Sequence, residues 1–338
     1  QMVKFYAFYG ITPNHPLDFV FRHSSLAGSY FLGKIRTRNS ILYKTDIRGD
    51  ELKHRGDLFH YQKFDIPITR DEGIDIEDSI LIKTLVHNFS HDPETLENFF
   101  IKDTVSIHYA NIHGSPSNGS FLGPFATVDL TTMNDCVIGT YSYIQAGEIG
   151  HLSIDPGTVW VRSPGEFNFL YRYPLNKLNH YINFIAGREP RGFIMDFGED
   201  RKEDFQRVFD VVNLDTPVSV PDNTSLDRFA VIKPNTHISE NVLVSQRAYL
   251  QNAWLGKGAN AQEHCYIINS RLEGFNVTAH GAKIIEADMG KNIFVGFNSF
   301  LRGQANSRLT IGNESIIMPH TIIDIKEPLT IPSGHLVW

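Results

Sequence analysis

Cysteine is nearly absent from this chain: Cys136 and Cys265 are the two among 338 residues. A disulfide framework is thereby excluded as an expectation, and the composition is that of a protein kept in a reducing cytoplasm. Basic runs are absent as well. Lys and Arg total 31 against 38 Asp and Glu, a net charge of −7 and a pI near 6.1. With no Lys/Arg cluster, neither nucleic acid nor an anionic membrane is an expected partner. No stretch approaches the roughly 18 apolar residues of a membrane span. The opening Met2–Gly10 carries one Lys and an apolar run too short for a secretory signal. No Walker loop and no Gly-x-Ser-x-Gly elbow occurs, and Tyr30–Asn39 lacks the glycines of a nucleotide-binding turn.

A six-residue period is what the chain does have. Val220, Leu226, Ile232, Ile238, Val244 and Leu250 are evenly spaced, and the spacing returns at Met289, Val295, Leu301 and at Ile311, Ile317, Ile323. Earlier echoes are Ile35, Ile41, Ile47, then Ile68, Ile74, Ile80, Val86, and the pairs Leu122/Val128 and Ile138/Ile144. Helices repeat at 3.6 and strands at 2, so a period of six belongs to neither alone. It is the period of an all-β solenoid, a β-helix of hexapeptide repeats. Each hexad supplies one side of a prism with its aliphatic residue pointing inward. Three sides make a coil, so residues 18 apart are expected to stack about 4.8 Å from one another. Gly and Asn at intermediate positions suit the corners.

The period divides the chain. Residues 1–31 hold no hexads and read as an N-terminal cap over an open solenoid end. Residues 32–161 read as weaker coils with a short helix near 92–100, where Asp92-Pro93 is an N-cap signal. Residues 162–214 form a helical insertion. Pro174 opens one segment, with Leu175, Leu178 and Ile182 on one face; a second runs from about Asp200 to Val212, and 187–193 is a loop between them. The insertion is expected to pack on the prism rather than act as a lid. Residues 215–338 are the regular β-helix. The 24 Phe and 13 Tyr exceed what one slim prism buries, which points to extra packed elements or a subunit interface.

The segments IGNESIIMPHTII at Ile311–Ile323, VPDNTSLDRFAVIKPNTHISENVLV at Val220–Val244 and MGKNIFVG from Met289 resemble the hexapeptide-repeat transferase superfamily. That resemblance implies a left-handed parallel β-helix and a homotrimer. It also implies a choice of chemistries, acyl transfer and the gamma-class carbonic anhydrases among them.

Function is sought where the period fails. Leu250 and Met289 are 39 apart, not a multiple of six, so a protruding loop is expected between them; a smaller one is expected at Gly303–Ser307. Between these breaks, Gly274-Phe-Asn-Val-Thr-Ala-His-Gly281 resembles the gamma carbonic anhydrase motif Gly-His-Asn-x3-His-Gly. His280 takes one ligand position. Phe275 takes the other, and Lys257 or a neighbour stands where the third ligand is needed. One ligand of three does not hold a catalytic zinc, so no metal site is assigned.

The preferred reading is an acyltransferase-like enzyme. It would move an acyl group from acyl-CoA or another thioester to a small or sugar-linked amine or hydroxyl, with a His general base. His280 is the first candidate and His264, one coil earlier, the second. His280 is expected to be partly exposed beside loops, with His264 on a similar face. Asn276, Asn252, Gln251 and Arg302 are the candidate substrate-binding residues. The alternative is a carbonic-anhydrase-like or non-catalytic trimeric scaffold with a degenerate metal site. His108, His113, His151, His237 and His320 read as exposed corner or interface residues. His87 and His91 are a weak metal pair, and Cys265 is expected to be buried in a coil.

Overall fold

The computed structural model describes residues 6–12, 15–49, 53–88, 99–210 and 220–338. Its strands are short, from two to six residues, and nearly all pair in parallel with the strand one coil away. The chain divides into two units, Gln1–Phe197 and Gly198–Trp338. Each is a three-faced parallel β-helix. Unit 1 has sheets of nine, seven and six strands; unit 2 has one of seven and two of six.

Inward residues stack along each face as the hexads require. On the nine-stranded sheet of unit 1, Ile47, Val86, Ile112, Val128 and Ile144 are successive partners, all fully buried. In unit 2, Leu250, Ile267, Ile284 and Leu301 do the same. A fully buried Ile or Leu contributes about 1.5–3 kcal/mol, and each coil adds three such positions. The corners need left-handed backbone. Asn takes many of them, including Asn235, Asn241, Asn252, Asn269 and Asn292 at φ between 46° and 63°, because its short polar side chain tolerates that region.

The regular coil is shorter than 18 residues. Leu226 pairs with Val244 and Ile232 with Leu250, as expected, but from Ile238↔Leu255 to Ile284↔Leu301 the step is 17. Unit 1 steps by 16. The cause lies at the corners. A single left-handed residue, such as Asn252, Asn269 or Glu286, turns the chain with one residue fewer than the two-residue turns at the other corners. The 39-residue interval therefore holds short sides and no protruding loop. The second expected break is real: Gln304 and Ser307 form an antiparallel bridge, and Arg302 and Asp324 stand 22 apart on adjacent coils.

Not every hexad residue points inward. Ile41 is 48% exposed while Leu42 is 0%; counting six from Ile35 lands one residue short, and neighbours on a strand face opposite ways. Ile80 and Leu81 repeat the error. Val220 and Ile232 are also exposed. They lie on the first described coil of unit 2, where the Ile232 strand has a neighbour on one side only. Leu122, Val128, Ile138 and Ile144 are all fully buried.

Phe8–Gly10 and Asp18–Arg22 add parallel strands to the ends of two unit 1 sheets, so coil structure begins before residue 32. An antiparallel hairpin, Leu58–Tyr61 with Phe64–Pro67, leaves the solenoid between Ile47 and Val86. The helix expected near 92–100 falls mostly outside the described residues, and Phe99–Lys102 is a strand. Among the described residues of 162–214 lie three helices: α1 (Leu175–Tyr181), α2 (Phe193–Glu199) and α3 (Lys202–Asp210). The second takes up the end of the segment read as a loop. In unit 1, α1 buries Leu178, whose Cδ1 lies 2.6 Å from where a Cβ on Gly157 would be. In unit 2, α3 sets the Phe205 ring 5.9 Å from Tyr249 and 6.2 Å from Tyr266, and Asp204 binds Lys233 and the Tyr249 hydroxyl. The helix packs on its prism.

Candidate active site

One corner of unit 2 gathers the chemistry. Backbone bonds from His264 to Gln246, from Gly281 to Glu263 and from Asn298 to His280 stack four coils there. The side chains of Gln246, Glu263, His280 and Phe297 thus form one column. His280 Nδ1 lies 2.5 Å from Glu263 Oε2, and its ring stacks on Phe297 at 5.5 Å and 10°. An ionised carboxylate only accepts, so beside an ionised Glu263 the proton belongs on Nδ1, and in a neutral ring Nε2 then keeps the lone pair. Gly281 has φ +70°, and a Cβ there would meet Asn298 Oδ1 at 2.3 Å, so the turn beyond His280 requires glycine.

Around this pair the groups are buried. Lys283 Nζ donates to the Gly281 carbonyl at 2.8 Å and lies over the Tyr266 ring; burial pushes its pKa down to about 8. Cys265 bonds the Ala279 carbonyl at 3.0 Å, and burial pushes its thiol pKa well up, so it stays a thiol. Gln246, one coil before Glu263, has its side-chain Nε2 buried with no hydrogen-bond partner among the described residues.

His280 is 4% exposed, which corrects the expectation of a partly open histidine. The protruding loop that was to expose it does not exist, and Glu263 and Phe297 flank the ring from the adjacent coils. His264 stands at the same corner one coil earlier, beside Glu263, with φ 58° and partial exposure.

The four expected substrate-binding residues do not join it. Asn276 occupies another corner and is spent on the coil: its Oδ1 accepts from Gly274 N and its Nδ2 donates to Gly290 O. Asn252 and Gln251 lie at the third corner. There Asn252 bonds Asn269, which bonds Glu286, while Gln251 accepts from Tyr249. Arg302 is held by both oxygens of Asp324, at 2.7 and 3.1 Å, so its fork is not open to an anion. Phe275 is exposed at the Asn276 corner, and Lys257 pairs with Glu240. Among the described residues no three His, Cys, Asp or Glu side chains come together as a metal would require.

A second buried histidine–carboxylate pair lies in unit 1 and was not anticipated. His113 Nδ1 is 2.7 Å from Asp129 Oδ1, and the Tyr143 hydroxyl donates to Asp129 Oδ2 at 2.8 Å. The Tyr143 pKa is pushed well up by burial and by Asp129, so it remains a donor. His113 was expected at an exposed corner; it lies on the strand Asn111–His113 and is buried. Asn111, on the same side of that strand, is 2% exposed with neither amide atom hydrogen-bonded. His87 is also buried, its ring 5.0 Å from His113; His91 lies outside the described residues. His320 is fully buried and His237 stacks on Trp254, while His151 is exposed as expected.

The sequence signals for both pairs exist but need the coil length. Glu263 precedes His280 by 17 and Asp129 follows His113 by 16, each one coil in its own unit.

The family described as "Hexapeptide repeat including loop" matches residues 64–186. Among solved structures 39 chains match. One is a crystal structure of a candidate acetyltransferase from Desulfovibrio desulfuricans G20, 54% identical, with a TM-score of 0.90, covering 99% of this chain and 70% of its own. No curated protein matches.

Proposed function

The chain belongs to the hexapeptide-repeat transferase superfamily, whose coils form a left-handed parallel β-helix, and from that footing we propose that it is an acyltransferase with His280 as general base. The observation that carries the reading is the 2.5 Å contact from His280 Nδ1 to Glu263. It supports the tautomer in which Nε2 can take a proton, the arrangement an acyl-transfer base needs. The 54% identity to a chain described as a candidate acetyltransferase supports the reaction class.

In the proposed reaction an acyl thioester, acyl-CoA or a relative, meets an acceptor hydroxyl or amine on a small or sugar-linked molecule. His280 Nε2 removes the acceptor proton as its oxygen or nitrogen attacks the carbonyl carbon. The carbon–sulfur bond breaks, and the proton passes to the departing thiolate. The products are an ester or amide and a free thiol. His264, beside Glu263 at the same corner, is the second candidate of the site. The working assembly is a homotrimer, in which a neighbouring subunit would complete the cleft.

The burial of His280 favours a second reading, a non-catalytic scaffold in which the Glu263–His280 pair staples two coils. Thiol release separates the two. Purified protein is mixed with acetyl-CoA and a panel of amino and hydroxyl sugars, and free thiol is followed with a chromogenic disulfide. Acceptor-dependent release supports the enzyme. Release no faster than without protein, across the panel, leaves the scaffold.

A further inference from the structure

Unit 1 carries a cavity that the acyl-transfer reading does not use. It is an open surface pocket of about 410 Å³ lined by the exposed side chains of Asn183, Ile185, Arg188, Glu189 and Arg191, within the 300–1,000 Å³ range of small-molecule sites. The chain that forms it is tied down at both ends. Asn183 and Arg191 exchange both backbone hydrogen bonds, at 2.7 and 2.9 Å, and Arg188 N bonds the Ile185 carbonyl at 3.0 Å. Gly192 packs so close to Tyr181 that a Cβ would lie 2.6 Å from its carbonyl oxygen. The loop therefore presents its side chains from a fixed frame.

Two of those side chains are unspent cations. Neither the Arg188 nor the Arg191 guanidinium makes a hydrogen bond or an ion pair with any described residue, whereas Arg302, Arg308 and Arg172 are all engaged by carboxylates. Glu189 is the one acid on the wall. Its field reaches His108, where it acts against the lowering of that pKa by burial and by Lys83. His108 Nδ1 is itself buried without a hydrogen-bond partner. The wall carries two positive charges against one negative, with Lys83 on the His108 side. Ile185, 54% exposed, and the arginine stems give it apolar surface.

We propose that this cavity binds the phosphate or diphosphate group of a small ligand. Two guanidinium forks offer up to ten N–H donors, which suits a tetrahedral anion with several acceptor oxygens, and forks recognise phosphate better than a point charge does. Asn183 adds a neutral amide that can serve an ester oxygen. The apolar wall gives an organic body attached to the phosphate somewhere to rest.

The test is isothermal titration of the full-length protein, at low and at moderate salt, with inorganic pyrophosphate and separately with ADP. Saturable binding of pyrophosphate that weakens with salt is expected. The double variant Arg188→Ala/Arg191→Ala should weaken it by roughly tenfold or more, and Arg172→Ala, whose guanidinium is bound to Asp155, should leave it unchanged. Tighter binding of ADP than of pyrophosphate would identify a nucleotide; equal binding would identify the phosphate group alone. No saturation by pyrophosphate up to about 10 mM, weaker than most specific sites, would overturn the proposal, as would equal affinity in the double variant. All three arginines are solvent-exposed, so the variants should fold.

Discussion

Glu263 accepts the Nδ1 proton of His280 from the preceding coil at 2.5 Å, with both side chains buried. The contact joins two corners that successive strands hold in register, so its geometry is set by the prism and not by a loop. Long-range proton–nitrogen spectra at alkaline pH should show the neutral ring protonated at Nδ1 and bare at Nε2. A ring protonated at Nε2 would remove the basis for its role.

Asn111 should be a stability liability. An amide buried without partners costs about 1–3 kcal/mol, so Asn111→Leu, close in volume, should raise the free energy of unfolding by about 1–2 kcal/mol. Denaturant melts of the two proteins decide it. A variant less stable by a similar amount would mean that the amide is satisfied in solution by a water or ligand.

The sequence made the solenoid legible because the inward aliphatics at Val244, Leu250, Val295 and Leu301 are bulky, regular and contiguous. It hid the coil length. Asn252 and Asn269 look like any corner residue, yet each shortens its side by one, and the drift reads as a lost register or a loop. That error carried over to the site, since His280 was expected beside loops that do not exist. Its partner Glu263 was missed because a 17-residue offset has meaning only once the coil is known. The histidine was legible from a local motif, Gly274–Gly281; the carboxylate was not.

Lys283 gives a pH signature. Its native pKa is pushed down to about 8 from 10.5 by burial, so the charged form is disfavoured in the folded chain. Below pH 8 both states carry the charge and the penalty is constant. Between 8 and 10.5 the native lysine has lost its proton while the unfolded one still holds it, and the penalty is relieved as pH rises. The stability of the wild type relative to Lys283→Met should climb by about 2–4 kcal/mol across that window. A flat difference would contradict it.

His320 should act at the acid end. Burial lowers its native pKa to about 3 from 6.5, so as pH falls below 6.5 the unfolded chain takes up a proton that the folded chain refuses. Stability is lost progressively down to pH 3. His320→Leu should lose stability less steeply over that range, as read from urea midpoints at stepped pH. Parallel curves would show that the histidine does not titrate this way.

The most direct measurement is the rate of acceptor-dependent thiol release from acetyl-CoA by wild type, His280→Gln and Glu263→Gln, with melting temperatures taken alongside. His280→Gln removes the base while leaving an amide donor on the side chain next to Glu263. The account predicts a fall of roughly 10²–10⁴-fold for His280→Gln and a smaller fall for Glu263→Gln, with melting temperatures near that of wild type. Turnover unchanged in His280→Gln would contradict it.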